Sequence, residues 1–244
     1  MNILIVGKGK MGQLIDVKAK ALGLTSFGCC DVLDPSLLQQ KKEDIDVILD
    51  FSHPDNLMWI LKEIEGTSIA LVEGTTGLQE EQLEALKAAS KNNPIFYATN
   101  YSYGIAIFHK LLKEVVPLLK DSFDIEIVET HHNQKVDAPS GTALSLLESM
   151  DPDHEFEHVF GRQGNVGARC KKEIGIHALR GGTIAGLHEV DFFGEDEVLE
   201  IKHTATSRQI FVNGAIKAAL FIANEPNGLY SMDDLLKGEL HGRS

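Results

Sequence analysis

A glycine-rich turn near the amino terminus constrains the fold of this chain more than any other feature. The apolar run from Asn2 to Val6 leads directly into GKGKMG, residues 7–12. Apolar residues then recur at helical spacing as far as Gly23, and a second short run, Thr25 to Cys30, ends at Asp31. This order of strand, glycine turn, helix, strand and acid predicts a dinucleotide-binding unit at the start of a parallel sheet.

Each residue of the motif has a physical role in that interpretation. Gly7 makes the tight turn, Gly9 lets the backbone approach a pyrophosphate, and Gly12 allows the helix to pack closely. The amino terminus of the helix attracts the phosphates, and Asp31, 19 residues after Gly12, can accept hydrogen bonds from ribose hydroxyls. The alternative is an ordinary strand-to-helix connection with a solvent-facing aspartate, which the surrounding pattern disfavours.

The same region bears on the choice of nicotinamide cofactor. Residues 32–36 contain no basic side chain that would neutralise a 2′-phosphate, so the sequence favours NADH over NADPH. The preference would be for NADPH instead if the 2′-phosphate were reached by the side chain of Lys8, Lys10 or Lys41. Both cofactors therefore remain candidates.

Strands and helices alternate up to about residue 102. The predicted strands are 46–51, 68–73 and 94–98, and the predicted helices between them are 56–64 and 80–92. The alternation predicts a Rossmann-type, doubly wound parallel α/β sheet, whose ligands lie beyond the carboxyl ends of the strands. Residues 74–76 and 98–101 follow two of these strands and are candidates for the nicotinamide end of the site. The alternative, which these residues alone support nearly as well, is that they are ordinary polar loop residues that contact no ligand.

The pattern changes after Gly104. A long apolar helix is predicted over 105–119, with Pro117 kinking or ending it, followed by a strictly alternating strand over 124–129. Further strands at 174–179 and 189–204 predict a second α+β domain with a mixed or antiparallel sheet, and a last helix covers 210–224. We therefore expect a dinucleotide-binding domain, residues 1–102 joined by 212–244, and an inserted domain, residues 103–211.

Charge and cysteine content exclude several classes of protein. The formal net charge is −13, whereas a nucleic-acid-binding protein needs a basic surface. The three cysteines show no CxxC spacing, so neither a disulfide framework nor a cysteine-based zinc site is indicated. There is no signal-peptide pattern and no apolar stretch of membrane-spanning length. We expect a soluble cytoplasmic protein with neither a nucleic-acid nor a membrane partner.

The segment HHNQKVDAPSGTA, residues 131–143, concentrates proton carriers in front of a predicted helix. Ser140 is placed to cap that helix, whose first amides, those of Gly141 and Thr142, would face a nearby anion. Histidine is the usual general acid near neutral pH, and lysine binds a carboxylate or donates a proton. Together with His131, His132 and Lys135, the helix start suits a carboxylate-bearing substrate that must also receive a proton.

Three alternatives apply to the same segment. The histidine pair is consistent with a structural polar cluster, and Lys135 with a simple ion pair to Asp137. Zinc binding by His131 and His132 is disfavoured because adjacent side chains on a strand point to opposite faces and no third ligand has a suitable spacing. We expect no metal site there.

At this point the sequence resembles the family of 4-hydroxy-tetrahydrodipicolinate reductases, also called dihydrodipicolinate reductases. ETHHNQKVDAPSGTA, residues 129–143, is similar to the signature of that family and is its most specific motif. Further similar motifs are VGKGKMG, DFS at 50–52, EGTTG, ATNYSYG, EIGIHALRGGTIAGLHEV at 173–190 and TSRQIFVNGA at 206–215. The stretch from Met150 to Phe160 has no counterpart among them, and His53 stands where some members carry another, often basic, residue.

The resemblance implies a reaction and a set of site residues. The reaction is reduction of 4-hydroxy-tetrahydrodipicolinate, by way of dihydrodipicolinate, to tetrahydrodipicolinate with NADH or NADPH, in lysine biosynthesis through diaminopimelate. His131 is implied as proton donor or acceptor, Lys135 as general acid, and His132, Gly141 and Thr142 as ligands of the carboxylates of a small cyclic dicarboxylate. The implied cofactor-binding residues are Gly7, Lys8, Gly9, Lys10, Met11, Gly12, Asp31, Gly74, Thr75, Thr76, Ala98, Thr99, Asn100 and Tyr101. The family forms homotetramers through the sheet of the second domain.

Two other functions share part of this pattern. Another two-domain nicotinamide-dependent oxidoreductase, such as an amino-acid dehydrogenase, would keep the glycine turn without needing the histidine and lysine segment. A protein that binds NADH without turnover would tolerate substitution of His131 and Lys135.

Overall fold

The computed structural model describes residues 1–240 and 242. The chain divides into two compact units, one formed by residues 1–103 with the described residues from Gln209 onward, and the other by Gly104–Arg208. Within the described part of the chain, no helix is long and apolar enough to cross a membrane.

The strands, in chain order, are β1 (Asn2–Val6), β2 (Thr25–Cys30), β3 (Val47–Asp50), β4 (Ala70–Glu73), β5 (Pro94–Tyr97), β6 (Asp124–His131), β7 (Glu157–Phe160), β8 (Glu173–Arg180), β9 (Gly186–Phe193), β10 (Val198–Ala205) and β11 (Gly228–Tyr230). The helices are α1 (Lys10–Ala21), α2 (Ser36–Lys41), α3 (Leu57–Ile64), α4 (Glu80–Ala89), α5 (Tyr103–Leu119), α6 (Gly141–Met150), α7 (Gln209–Ile222) and α8 (Met232–Leu240). Two short 3-10 helices cover Lys42–Asp44 and Pro54–Asn56.

The first unit contains a six-stranded, fully parallel sheet in the order β11-β5-β4-β3-β1-β2. The central strands β1, β3 and β4 are short and buried on both faces, as expected when helices cover both sides of a parallel sheet, whereas the edge strands β2 and β11 are partly exposed. Leu4 and Val6 of β1 pack with α3 and α4. Ile3 and Ile5, which alternate with them along the strand, point to the opposite face. The predicted doubly wound α/β fold is confirmed.

Helix α7 belongs to this first unit although it follows the inserted segment in sequence. It packs against α1 and β4. The approach is so close that a Cβ built on Gly214 would lie 1.7 Å from the main-chain oxygen of Tyr101, so this position accepts only glycine. The parts of the first unit that come before and after the inserted segment are therefore in direct contact, at Tyr101 and Gly214.

The second unit contains a mixed five-stranded sheet in the order β10-β9-β6-β8-β7. β6 is parallel to β8 and antiparallel to β9, and its residues alternate between half-buried and buried, because one face packs on α5 and α6. The predicted second α+β sheet is confirmed. Helix α5 does not end at Pro117 but continues to Leu119, and α2, β7, β11 and α8 were not predicted.

Candidate active site

The glycine turn of the first unit has the shape that a dinucleotide requires. Gly7 has φ +115°, and a Cβ there would lie 2.6 Å from the Phe51 main-chain oxygen, while a Cβ on Gly12 would lie 1.9 Å from the Gly7 oxygen. Gly9 caps α1, and a Cβ on it would meet nothing within 4 Å. The space in front of the helix start is thus open to a pyrophosphate, and these residues fit the cofactor.

Asp31 lies directly after β2, beside the side chain of Lys8. Its Oδ1 accepts the main-chain N–H groups of Leu33 and Asp34, each at 3.0 Å, which fixes the carboxylate. Lys8 Nζ lies 3.4 Å from Asp31 Oδ2 and 3.2 Å from Asp34 Oδ2. The predicted ribose acceptor and a cation are therefore neighbours at the same strand end.

A buried polar network joins the carboxyl ends of β3 and β4. Thr75 donates its main-chain N–H to Glu73 Oε1 at 2.8 Å, and its hydroxyl accepts the Ser52 N–H at 3.1 Å. The Ser52 hydroxyl donates to Asp50 Oδ1 at 2.5 Å, and the Tyr101 hydroxyl donates to the Glu73 main-chain oxygen at 2.8 Å. These bonds hold together the segments predicted to face the nicotinamide.

Two carboxyls of this network, Asp50 and Glu73, are fully buried and adjacent in register. Burial raises the pKa of Asp50 to about 6, and burial together with the Asp50 charge raises the pKa of Glu73 well above its usual range. A proton held between the two carboxyls supplies the hydrogen bond that Asp50 Oδ2 and Glu73 Oε2 lack as two anions. Both shifts are in the direction of the protonated, uncharged form.

Several predicted cofactor residues also have packing roles. Tyr101 is buried, with its ring 5.1 Å from the Phe51 ring and 5.9 Å from the Phe96 ring. A Cβ on Gly74 would lie 2.4 Å from the Phe51 ring, so packing alone requires glycine there. The predicted cofactor residues that are exposed are Lys8, Gly9, Lys10, Thr76 and Thr99.

In the second unit, the inward face of β6 changes from apolar to ionisable along the strand. Ile125 and Ile127 belong to the core, and the next two inward residues are Glu129, which is 0% exposed, and His131, which is 8% exposed. Because side chains two apart on a strand share a face, the two meet directly, with His131 Nδ1 2.6 Å from Glu129 Oε2.

The Glu129 carboxylate is held from three directions. Arg180 donates two hydrogen bonds at 2.8 Å, one to each carboxylate oxygen, and the Ser140 main-chain N–H donates to Oε1 at 2.9 Å. Burial raises the pKa of Glu129, but the hydrogen bonds from Arg180, His131 and Ser140 outweigh it and place the pKa below its usual range. Glu129 is therefore an anion that accepts the Nδ1–H of His131, which leaves His131 Nε2 as the nitrogen that can exchange a proton.

His188 of β9 lies on the other side of the His131 ring, with ring centroids 5.1 Å apart. Burial and the charge of His131 lower the pKa of His188 to about 4, so its ring is neutral at neutral pH. Its Nε2 then accepts the Ser140 hydroxyl at 3.0 Å, while the same hydroxyl accepts the Ala143 N–H at 3.1 Å as the cap of α6. His188 thus fixes the start of the helix.

The remaining predicted substrate residues lie on the loop between β6 and α6 and on the first turn of α6. The main-chain N–H of His132 donates to the Ile184 oxygen at 2.8 Å. Lys135 Nζ lies 2.8 Å from Asp137 Oδ1, which is the ion pair recognised as an alternative from the sequence. Gly141 and Thr142 begin α6 directly after the Ser140 cap, as predicted.

Five ionisable residues of these networks carried no predicted role: Asp50, Glu73, Glu129, Arg180 and His188. Glu129 had a local signal, because it stands two residues before His131 on an alternating strand. Arg180 and His188 had none, because they reach the site through strand register, Arg180 opposite His131 and His188 opposite Glu129.

Comparisons with known proteins match both halves of the chain to one family. Residues 1–101 match the family model described as dihydrodipicolinate reductase, N-terminus, and residues 104–236 match dihydrodipicolinate reductase, C-terminus. The 4-hydroxy-tetrahydrodipicolinate reductase of Alkaliphilus metalliredigens is 42% identical over 240 residues, which cover 97% of this chain and 99% of the relative.

Solved structures show the same fold. A dipicolinate-bound dihydrodipicolinate reductase from Paenisporosarcina sp. TG-14 has a TM-score of 0.75 at 23% identity and covers 95% of this chain and 97% of that one. A scyllo-inositol dehydrogenase from Lactobacillus casei with bound NAD(H) and scyllo-inositol has a TM-score of 0.54 at 14% identity, covering 98% and 92%. Because both family models and the relative extend over nearly the whole sequence, the chain belongs to the dihydrodipicolinate reductase family.

Proposed function

We propose that this chain reduces 4-hydroxy-tetrahydrodipicolinate, by way of dihydrodipicolinate, to tetrahydrodipicolinate with NADH or NADPH, in lysine biosynthesis through diaminopimelate. Support comes from the family match along both halves of the chain. The observation that carries the catalytic assignment is the 2.6 Å contact between His131 and the buried Glu129. It supports His131 as an oriented proton carrier that stands four residues before Lys135 and nine before Ser140, the cap of α6.

The first unit holds the cofactor. The open amino terminus of α1 receives the pyrophosphate, Asp31 accepts the ribose hydroxyls, and the network around Thr75 shapes the nicotinamide end. When bound, the reduced nicotinamide supplies a hydride. The remaining predicted contacts in this unit are those of Lys10, Met11, Thr76, Ala98, Thr99 and Asn100.

The second unit holds the substrate and supplies the proton. The ring carries two carboxylates, and the first turn of α6 with Gly141 and Thr142, together with His132, clamps them. Reduction of a conjugated imine adds one hydride and one proton, and Lys135 is the general acid. His131 donates or accepts a proton through Nε2, because Nδ1 is committed to Glu129.

In this assignment the Lys135–Asp137 ion pair forms when no substrate is bound. Asp137 is half exposed, and its main-chain oxygen accepts Arg180 at 2.6 Å, so its position on the loop is set by the same arginine that holds Glu129. A substrate carboxylate competes with the Asp137 side chain for Lys135. The lysine therefore reaches the substrate by exchanging one carboxylate for another.

NADH is the preferred cofactor in this proposal, and Lys8 is the residue that tunes the preference. Lys8 already lies between the carboxylates of Asp31 and Asp34. Those two negative charges disfavour a 2′-phosphate, whereas Lys8 offers it one cation. We also propose that the protein assembles as a homotetramer through the sheet of the second unit.

A coupled assay tests the reaction. The preceding synthase generates the substrate from pyruvate and aspartate semialdehyde, and oxidation of NADH or NADPH is followed in parallel. We expect oxidation that requires both proteins, with a higher kcat/KM for NADH. Lys135→Ala and His131→Gln should lower turnover by roughly 10²–10⁴-fold, the usual contribution of a positioned acid or base, while NADH affinity stays nearly unchanged.

Two outcomes contradict the proposal. Wild-type turnover in both variants would mean that neither residue has the assigned role. Absence of oxidation from folded, NADH-binding protein would indicate another substrate or a protein that senses the nucleotide.

A further inference from the structure

The segment after α6, for which the family motifs offer no counterpart, folds around the carboxylate of Asp151. Asp151 ends the helix and is only 2% exposed. Its Oδ1 accepts the Glu155 main-chain N–H at 2.7 Å, and its Oδ2 accepts the Phe156 N–H at 3.1 Å. The chain therefore turns tightly around one fixed carboxylate.

Two histidines converge on this carboxylate. His158 Nε2 lies 2.9 Å from Asp151 Oδ2, and His158 is anchored on β7, which pairs with β8. His154 adopts φ +53°, an uncommon backbone conformation for a residue with a side chain, and its ring centroid lies 6.0 Å from that of His158. One nitrogen from each histidine and one Asp151 oxygen all lie within 4.8 Å of one another.

The electrostatic surroundings favour a cation at this point. The carboxyl terminus of a helix carries a partial negative charge, and α6 ends at Asp151. Asp153, Glu155 and Glu157 add negative side chains in the same short stretch. One lysine beside this stretch, Lys120, is paired with Glu155 at 2.6 Å.

We propose that Asp151, His154 and His158 form a binding site for a divalent first-row transition metal ion such as Zn²⁺, outside the proposed reaction. Imidazole nitrogens with one carboxylate suit Zn²⁺, Co²⁺ and Ni²⁺. His158 Nε2 and Asp151 Oδ2, which are 2.9 Å apart in a hydrogen bond, would have to separate by about 0.5 Å to become two ligands at the tetrahedral angle on a metal with bonds of about 2.1 Å. His154, whose exposed ring offers a nitrogen within 4.8 Å of the other two ligand atoms, is the third ligand, and water fills the remaining position.

The site is separate from the residues assigned to catalysis. Helix α6 has 10 residues, so its two ends lie about 15 Å apart at 1.5 Å rise per residue. The proposed substrate clamp is at the amino end, whereas Asp151 is at the carboxyl end. A bound ion therefore stabilises the junction of α6 and β7 and supplies no reacting group.

Titration of the chelator-treated, tag-free protein with Zn²⁺ in a calorimeter tests the site. We expect one ion per chain and a rise in Tm on binding, because a ligand that prefers the folded state stabilises it. His154→Ala removes only an exposed ring, so it keeps the fold while weakening binding by more than roughly tenfold; losing even an outer-shell partner of a metal site costs about 10–100-fold. His158→Ala should weaken binding at least as much.

Matched controls separate this site from other histidines. His53→Ala removes an exposed histidine of the first unit and should leave the titration unchanged. Co²⁺ in place of Zn²⁺ should give visible absorption bands that His154→Ala removes. Zn²⁺ binding that is unchanged in both His154→Ala and His158→Ala, or that disappears only in His132→Ala, would overturn the proposal.

Discussion

The Glu129 carboxylate decides which nitrogen of His131 is available for chemistry. It accepts the Nδ1–H at 2.6 Å and is itself held by Arg180 and by the Ser140 main chain. A rigid carboxylate in this position fixes the orientation of the ring. In the proposed mechanism Glu129 is therefore a positioning residue that acts through His131.

Replacing Glu129 with glutamine tests that role. The amide has one acceptor oxygen in place of two, so it cannot accept all four hydrogen bonds that Arg180, His131 and Ser140 donate to the carboxylate. We expect kcat to fall by roughly tenfold to a hundredfold, within the contribution of a positioned acid or base, because the ring loses the fixed carboxylate that orients it. NADH affinity should be unchanged, since its proposed site lies in the other unit.

Glu148→Gln, on the exposed face of α6, is the matched control for charge and should behave as wild type. A melting curve is needed because the substitution removes the charged partner of Arg180, whose side chain is 20% exposed. A folded Glu129→Gln protein with wild-type kcat would refute the positioning role.

The same residues show what could be predicted at this scale. His131, Lys135 and the Ser140 cap were identifiable because they are adjacent in sequence and their chemistry is local. Arg180 and His188 are far from them along the chain and meet them only through the register of β8 and β9. No local pattern specifies register between strands separated by 40 or more residues.

At the scale of elements, β3 and β4 end in a pair of buried carboxyls. Glu73 has a pKa raised by burial and by Asp50, and burial raises the pKa of Asp50 to about 6. The folded protein therefore holds protons that the unfolded chain releases near pH 4 to 5. The contribution of this pair to the free energy of unfolding is fully present below that range. It is lost as the pH rises through the raised pKa values that the two carboxyls have in the folded protein.

Glu73→Gln should remove much of this dependence. The amide can donate to Asp50 without holding a titratable proton, so the variant should be the more stable protein at pH 9 and lose that advantage towards pH 5. The expected slope for wild type is about 1.4 kcal/mol per pH unit while one proton is bound only in the folded state. Urea unfolding at several pH values measures it, with the exposed Glu84→Gln as control. Parallel stability curves for wild type and Glu73→Gln would contradict a shared proton.

Elements with strong periodicity were predictable, and the short or edge elements were not. Residues 124–129 alternate strictly because one face of β6 packs on the core. By contrast, β11 has three residues and is a strand only because it pairs with β5 at the sheet edge. The apolar run predicted α5 as far as Leu119, and the helix does continue to that residue instead of ending at Pro117.

On the scale of the whole molecule, the chain is a first unit interrupted by a second. The interruption begins and ends at neighbouring points, because Gly214 of α7 packs against the Tyr101 main-chain oxygen. Helix α7 also packs on α1 and β4, so the first unit is completed by residues that follow the insertion. We propose that this unit alone is the dinucleotide-binding domain and that the inserted segment is the substrate-binding and assembly domain.

Replacing residues 104–208 with about six glycine and serine residues, which span roughly 13 Å on average, tests this division. We expect the shortened protein to melt cooperatively, to bind NADH about as tightly as the full chain and to have no reductase activity. Light scattering should find it monomeric, whereas the full chain should have four times its monomer mass of 26.8 kDa.

Gly9→Val in the shortened protein is the control, because its side chain enters open space in front of α1 and should abolish NADH binding without unfolding. A folded shortened protein that binds no NADH would place part of the cofactor site in the inserted segment, and one that remains tetrameric would place the assembly surface in the first unit.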